Sequence, residues 1–135
     1  MHNDYLDWKN SVDMQEGLKQ MLGRVFVRVE GSVGDGEMTF VRDDGVRFVF
    51  HHFQDCCEHV RIEDIVGDLQ DLVGEPLLVA EESSNDDGPQ PSEYSESYTW
   101  TFYKFATRKG YVDVRWLGES NGYYSESVDL CVVRA

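Results

Sequence analysis

His51-His52-Phe53-Gln54-Asp55-Cys56-Cys57-Glu58-His59 runs directly into Val60-Arg61-Ile62-Glu63-Asp64-Ile65-Val66-Gly67-Asp68-Leu69-Gln70-Asp71-Leu72-Val73-Gly74, and how this stretch is read decides the fold. Its first part holds most of the histidines and cysteines of the chain. In the second part Ile62, Ile65, Val66, Leu69, Leu72 and Val73 recur at helical spacing, with Gly74 and Pro76 as stop signals. The opposite face would carry Glu63, Asp64, Asp68 and Asp71. The pattern predicts an amphipathic helix over 62–73, with Gly67 costing about 1 kcal/mol relative to Ala on its exposed side.

Outward from that stretch, the chain alternates between short elements. Asp13 followed by Glu16 is a capping-box pattern, and Met14, Leu18, Met21 and Leu22 form an apolar stripe, so 13–22 reads as a helix. Residues 24–30 read as a strand with Val25, Val27 and Val29 on one face. Residues 37–42 and 46–53 form a hairpin about Asp43-Asp44-Gly45. A strand is expected at 76–80, and 81–97 reads as an acidic, Ser-rich and mobile surface loop. Strands at 98–106 and 111–117 follow. A last strand at 123–133 would be joined to them by a type I′ turn at Asn121-Gly122. The expected fold class is α+β: a single domain over 1–135, mainly antiparallel sheet, with one or two short helices packed on it.

The chain has 135 residues, 41% of them hydrophobic and 13% aromatic, enough for a real core without metal or disulfides. Formal net charge is −14. Between Gln54 and Ser97 every charged residue except Arg61 is acidic. That sign argues against direct nucleic-acid binding and against an anionic membrane surface, because both are held by Lys and Arg. It favours a basic protein, a cation or a small polar ligand as partner, although acidity also simply keeps a protein soluble. The opening Met1 to Asp7 lacks the basic and apolar regions of a signal peptide, and no apolar run approaches the roughly 20 residues of a membrane span. Three cysteines, two of them adjacent, make a poor disulfide framework, so a reducing cytoplasm is the expected compartment.

Three constellations can carry chemistry. His52, Cys56 and His59 with Asp55 are a possible zinc set, although adjacent cysteines serve one ion poorly and no second His or Cys pair completes a structural site. The plain alternative is that the cysteines are small buried residues and the histidines line a strand end. A Cys-His-Asp nucleophile is disfavoured because its candidates are all local, and no phosphate-binding, dinucleotide or hydrolase motif occurs. No catalytic residue is therefore assigned. Trp100, Tyr103, Lys104, Arg115, Asn121 and Tyr123 could form a pocket that stacks a base and pairs a phosphate; the plain alternative is that they are only core and turn. The acidic set Glu63, Asp64, Asp68 and Asp71, with the loop after Ala80, is the third: a contact surface for a basic groove, or a solvated face.

Two blocks carry a family resemblance. HHFQDCCE with IEDIVGDL, and WTFYKFATRKG with RWLGESNGYYSE, resemble a group of small uncharacterised proteins from phages and prophages. The likeness covers roughly 46–128 and implies a viral context; it brings no activity, cofactor or catalytic residue. The expectation is a non-enzymatic phage-type binding protein of the host cytoplasm. It would occupy a host defence or nucleic-acid-handling protein, one with a basic surface, through Glu63, Asp64, Asp68 and Asp71, with no cofactor. The alternative is a metal- or small-ligand-binding module, nucleotide-like in its ligand, built on the His/Cys cluster or the aromatic hairpin.

Overall fold

The computed structural model describes residues 7–134, so most of the opening segment read above lies outside them. In chain order the elements are β1 (Ser11–Val12), α1 (Met14–Met21), β2 (Phe26–Glu30), β3 (Met38–Arg42), β4 (Arg47–His51), β5 (His59–Val66), β6 (Val79–Asn85), β7 (Ser97–Thr107), β8 (Gly110–Ser120) and β9 (Asp129–Val133). They build two antiparallel sheets, one ordered β1-β9-β4-β3-β2 and the other β5-β8-β7-β6. The described residues are thus mainly β, in two sheets rather than one, with a single α-helix and two short 3-10 turns at Trp8–Asn10 and Leu69–Leu72.

The sheets face each other through aromatic rings. Phe40 meets Phe105 at 4.8 Å between centroids, and Phe50 meets Tyr103 at 5.0 Å. Phe26, Phe48, Val112, Val114 and Trp116 fill the same core. Each edge-to-face ring pair adds about 0.5–1.5 kcal/mol beyond the burial of its area. Helix α1 starts as the capping pattern predicts, with the Asp13 carboxylate accepting the Glu16 N–H at 3.1 Å. It buries Leu18 and Met21.

The helix expected at 62–73 does not form; β5 and the 3-10 turn occupy its place. The cause is a β-bulge. In β5 the register with β8 shifts between Ile62 and Asp64, so Ile62 lies opposite Trp116 and Ile65 opposite Val114. A bulge inserts one residue, which makes two inward side chains three apart instead of two and imitates a helical turn. Gly67, at φ +112, then ends the strand, and Leu69 and Leu72 of the 3-10 turn continue the false stripe. The same device acts in β2, where the shift between Phe26 and Arg28 puts Phe26 and Val29 into the core and leaves Val27 exposed, contrary to the expected Val25-Val27-Val29 face.

Two further boundaries differ. The expected strand at 76–80 is displaced to β6, which runs into the supposed acidic loop and pairs with β7 from Val79↔Ala106 to Asn85↔Trp100. The remaining loop is tied down: the Tyr98 hydroxyl donates to the Gly88 carbonyl at 2.9 Å, and the Trp100 indole N–H to the Pro89 carbonyl at 2.8 Å. Asn121-Gly122 makes no type I′ hairpin, since only Gly122 has positive φ. Instead the chain crosses to the other sheet, where β9 pairs with β4 and β1.

Candidate functional site

The His/Cys stretch folds into a turn between β4 and β5, organised on the Glu58 carboxylate. Glu58 Oε1 accepts the Cys56 N–H at 2.8 Å, and Oε2 accepts the Asp55 N–H at 3.0 Å. The His52 ring supplies a further donor, with Nε2 at 2.7 Å from Glu58 Oε2. Its Nδ1 is 2.7 Å from the Ser127 carbonyl oxygen. Each ring nitrogen of His52 thus faces an oxygen acceptor, which fixes the orientation of the ring. The hydrogen bond from His52 and the N–H groups of the turn outweigh burial and hold the Glu58 carboxyl down at about 2.

The expected zinc set therefore does not converge. The His52 side chain is buried and committed to Glu58 and Ser127, the Cys56 sulfur is bonded to that of Cys57, and His59 sits on β5 opposite Glu119. Among the described residues no group of three or more His, Cys, Asp or Glu side chains is placed to hold a metal ion. Cys56 and Cys57 are exposed, not the small core residues of the plain alternative. Their bond spans neighbouring residues and staples no two elements together.

Folding does assemble one non-local Cys-His-Asp trio that sequence reasoning missed. His51 Nε2 lies 3.2 Å from Cys131 Sγ, and Asp129 is the cross-strand partner of His51. Cys131 is fully buried, and burial, reinforced by the nearby Asp129 charge, pushes its thiol up to about 11. Burial likewise lowers His51, which favours the neutral ring. This is a packed, protonated thiol with no approach for a substrate. Nothing in the local spacing announces it, because the two residues are brought together only by the β4–β9 pairing.

The four acids expected on one helix face are dispersed. Glu63 sits at the β5 bulge and Asp64 on the outer face of its sheet, 3.8 Å from Arg115. Asp68 caps the 3-10 turn by accepting the Gln70 N–H, and Asp71 is tucked under the β7–β8 turn, its carbonyl accepting from the Thr107 hydroxyl. The aromatic set splits as well. Trp100, Lys104 and Arg115 share the outer face, whereas Tyr103 points into the core and donates to Glu82 at 2.6 Å. Burial, then the Glu82 charge, raises its phenol well above the ordinary value. Asn121 and Tyr123 lie at the far end of the sandwich, in the turn after β8, where the Asn121 side chain accepts the Tyr123 N–H. Trp100 offers no free ring face for a base, being covered by the loop and by Arg115 at 5.3 Å.

The structure presents instead an open groove of about 400 Å³ along the outer face of the four-stranded sheet. Cross-strand register orders its floor in rows. One row reads Glu81, Lys104, Asp113, Val66; the next reads Ser83, Phe102, Arg115, Asp64. Charges alternate along the first row, Phe102 and Val66 remain exposed, and Nε of Arg115 is buried without a hydrogen-bond partner among the described residues.

At the end of the sandwich two carboxylates are tied down. Arg61 donates to Glu119 at 2.6 Å, and Ser95 donates to the other Glu119 oxygen, also at 2.6 Å. Burial opposes ionisation of Glu119, but these two donors outweigh it and lower the carboxyl. Glu126 is buried between the Thr99 and Ser120 hydroxyls. Glu119, Ser120 and Glu126 of the RWLGESNGYYSE block thus close this end of the fold with partners from outside the motif blocks, Arg61, Ser95 and Thr99.

A family model for a domain of unknown function, DUF7448, matches residues 19–130. The chain belongs to that family. No curated protein and no solved structure matches it. The DUF7448 match spans β2 to β8 entirely, and so includes both the groove and the closed end. Among the described residues no helix is long and apolar enough to cross a membrane.

Proposed function

We propose that this DUF7448 protein is a non-enzymatic binding protein that occupies a partner with a basic surface. The observation that carries the reading is the outer face of the four-stranded sheet, where Asp64, Glu81 and Asp113 share a groove with the exposed Phe102 and Val66, interleaved with Lys104 and Arg115, in a chain of net charge −14. A contact needs apolar area at its centre and charge that selects the partner, and this face supplies both. The acidic contact thus moves from the expected helix face to a sheet face that keeps Asp64 and sets aside Asp68, which is spent on a cap. The likeness of the two motif blocks to phage and prophage proteins supports a host protein as target, one that handles nucleic acid or defends the cell, met in the host cytoplasm.

The test is capture of host proteins on the immobilised chain at low and raised salt. The triple variant Asp64→Asn, Glu81→Gln, Asp113→Asn is expected to lose a partner that the Asp68→Asn, Glu63→Gln control retains. Equal capture by both variants would refute the reading.

A second reading rests on the unpaired Arg115 Nε beside Lys104, which suits a small anionic ligand lying across Phe102. Native mass spectrometry of gently purified protein decides it: a retained anion, absent from an Arg115→Gln variant, supports this reading, and a bare chain ends it.

A further inference from the structure

Strand β6 lies at the end of its sheet, paired with β7 on one side only. Among the described residues no strand pairs with its other side; helix α1 packs against β6 from the core side, where Met14 and Glu82 meet at the Tyr103 hydroxyl. Two of the other sheet edges are covered: the loop at Ser32–Gly36 bonds to Ile62 of β5, and the segment around Gly74–Leu77 bonds to Phe26, Val25 and Arg24 at β2; the remaining edge strand, β1, is only 2 residues long. Glu81, Ser83, Ser84 and Asn85 of β6 are exposed.

We infer that the free edge of β6 takes up an extended basic segment of the partner as an additional antiparallel or parallel strand, with Lys or Arg opposite Glu81 and an apolar residue opposite Ser83. This rests on the proposed binding role and names the chemistry of its partner. The charge row carries the argument. Reading outward across the sheet it runs Asp113, Lys104, Glu81, so the next position in the row is the one where a cation continues the alternation. In the neighbouring row the small Ser83 lets an apolar side chain opposite it reach over to the exposed ring of Phe102. Main-chain hydrogen bonds would supply affinity and these two positions specificity. A second copy of this chain is a poor occupant, because it would set Glu81 and Glu82 against carboxylates of their own kind and −14 against −14.

The probe is a synthetic peptide of alternating Lys and Val, as long as β6. Two further versions carry N-methyl groups on the amides of one edge or of the other. Binding to the full chain is measured by titration, and backbone amide exchange is followed in residues 79–85. The expected result is tight binding of the unmodified peptide, slowed exchange at alternate residues of β6, and a loss of about tenfold or more for one methylated version only. Glu81→Lys is expected to switch preference to a peptide of alternating Glu and Val. If both methylated versions bind as well as the parent while the Asp64, Glu81, Asp113 triple variant still loses binding, the strand-addition inference is overturned and the acidic-face reading stands. If no basic peptide binds and the triple variant captures the same host proteins as wild type, both fall. Concentration-dependent dimerisation that slows exchange in β6 would assign the edge to a second copy and also overturn the inference.

Discussion

Nε2 of His52 stands 2.7 Å from Oε2 of Glu58, and both side chains are almost completely shielded from solvent. This pair joins the end of β4 to the start of β5. A buried carboxylate is tolerated only when its lone pairs are filled, and Glu58 is filled by His52, by the Gln54 side chain and by two N–H groups of its own turn.

The pair makes the fold acid-sensitive in a defined window. The folded Glu58 carboxyl sits at about 2 against an ordinary 4.5, so the unfolded chain takes up the proton first as pH falls. Its contribution is fully present above about 4.5 and is lost progressively as pH falls toward about 2. Glu58→Gln is expected to lower the melting temperature at pH 7 by several degrees and to flatten its decline between those pH values. A wild-type melting temperature that is constant across that window would contradict this.

Gly67 gives a prediction whose sign separates strand from helix. In an exposed helical position Gly67→Ala would stabilise by about 1 kcal/mol. Here Gly67 has φ +112 and an added Cβ would come within 2.6 Å of the Tyr111 carbonyl oxygen. Gly67→Ala is therefore expected to destabilise by about 1–3 kcal/mol in chemical denaturation.

Gly118 tests the closed end of the sandwich. A Cβ at this position would lie 2.8 Å from Glu126 Cβ and closer still to the Glu126 carbonyl, a backbone atom that cannot swing away. Gly118→Ala is expected to cost about 1–3 kcal/mol. Gly36→Ala, which meets open space, should stay within about 0.5 kcal/mol of wild type. Equal effects in urea titrations would show that the Glu126 packing is loose.

Cys131 should behave as a core residue. Its thiol is fully buried, is raised to about 11 and stands against the His51 ring. A small thiol reagent at pH 8 is expected to leave Cys131 unmodified in the native protein and to label it fully after denaturation, as peptide mass mapping would read. Rapid labelling of the folded chain would mean that the site opens and would restore the pair as a nucleophile candidate.

The sequence by itself determined the elements whose signals are local. The Asp13 cap and stripe of α1, the Asp43-Asp44-Gly45 hairpin and the β7–β8 hairpin all lie where backbone propensity and turn chemistry put them. It also determined the acidity and its concentration in the middle third. Tertiary structure alone decided what depends on pairing at a distance. Bulges in β2 and β5 convert a two-residue alternation into a three-residue one, which no periodicity count distinguishes from a helix, and only the partner strand reveals the extra residue. β6 is a polar strand because β7 offers it backbone partners, although its side chains read as loop. Cys131 meets His51, and Arg115 meets Asp64, because register places them opposite or beside one another; no spacing along the chain encodes either meeting. The opening stretch thus kept its reactive residues but lost its helix, and its histidine became the clasp of a turn because Glu58 closes on it from six residues away.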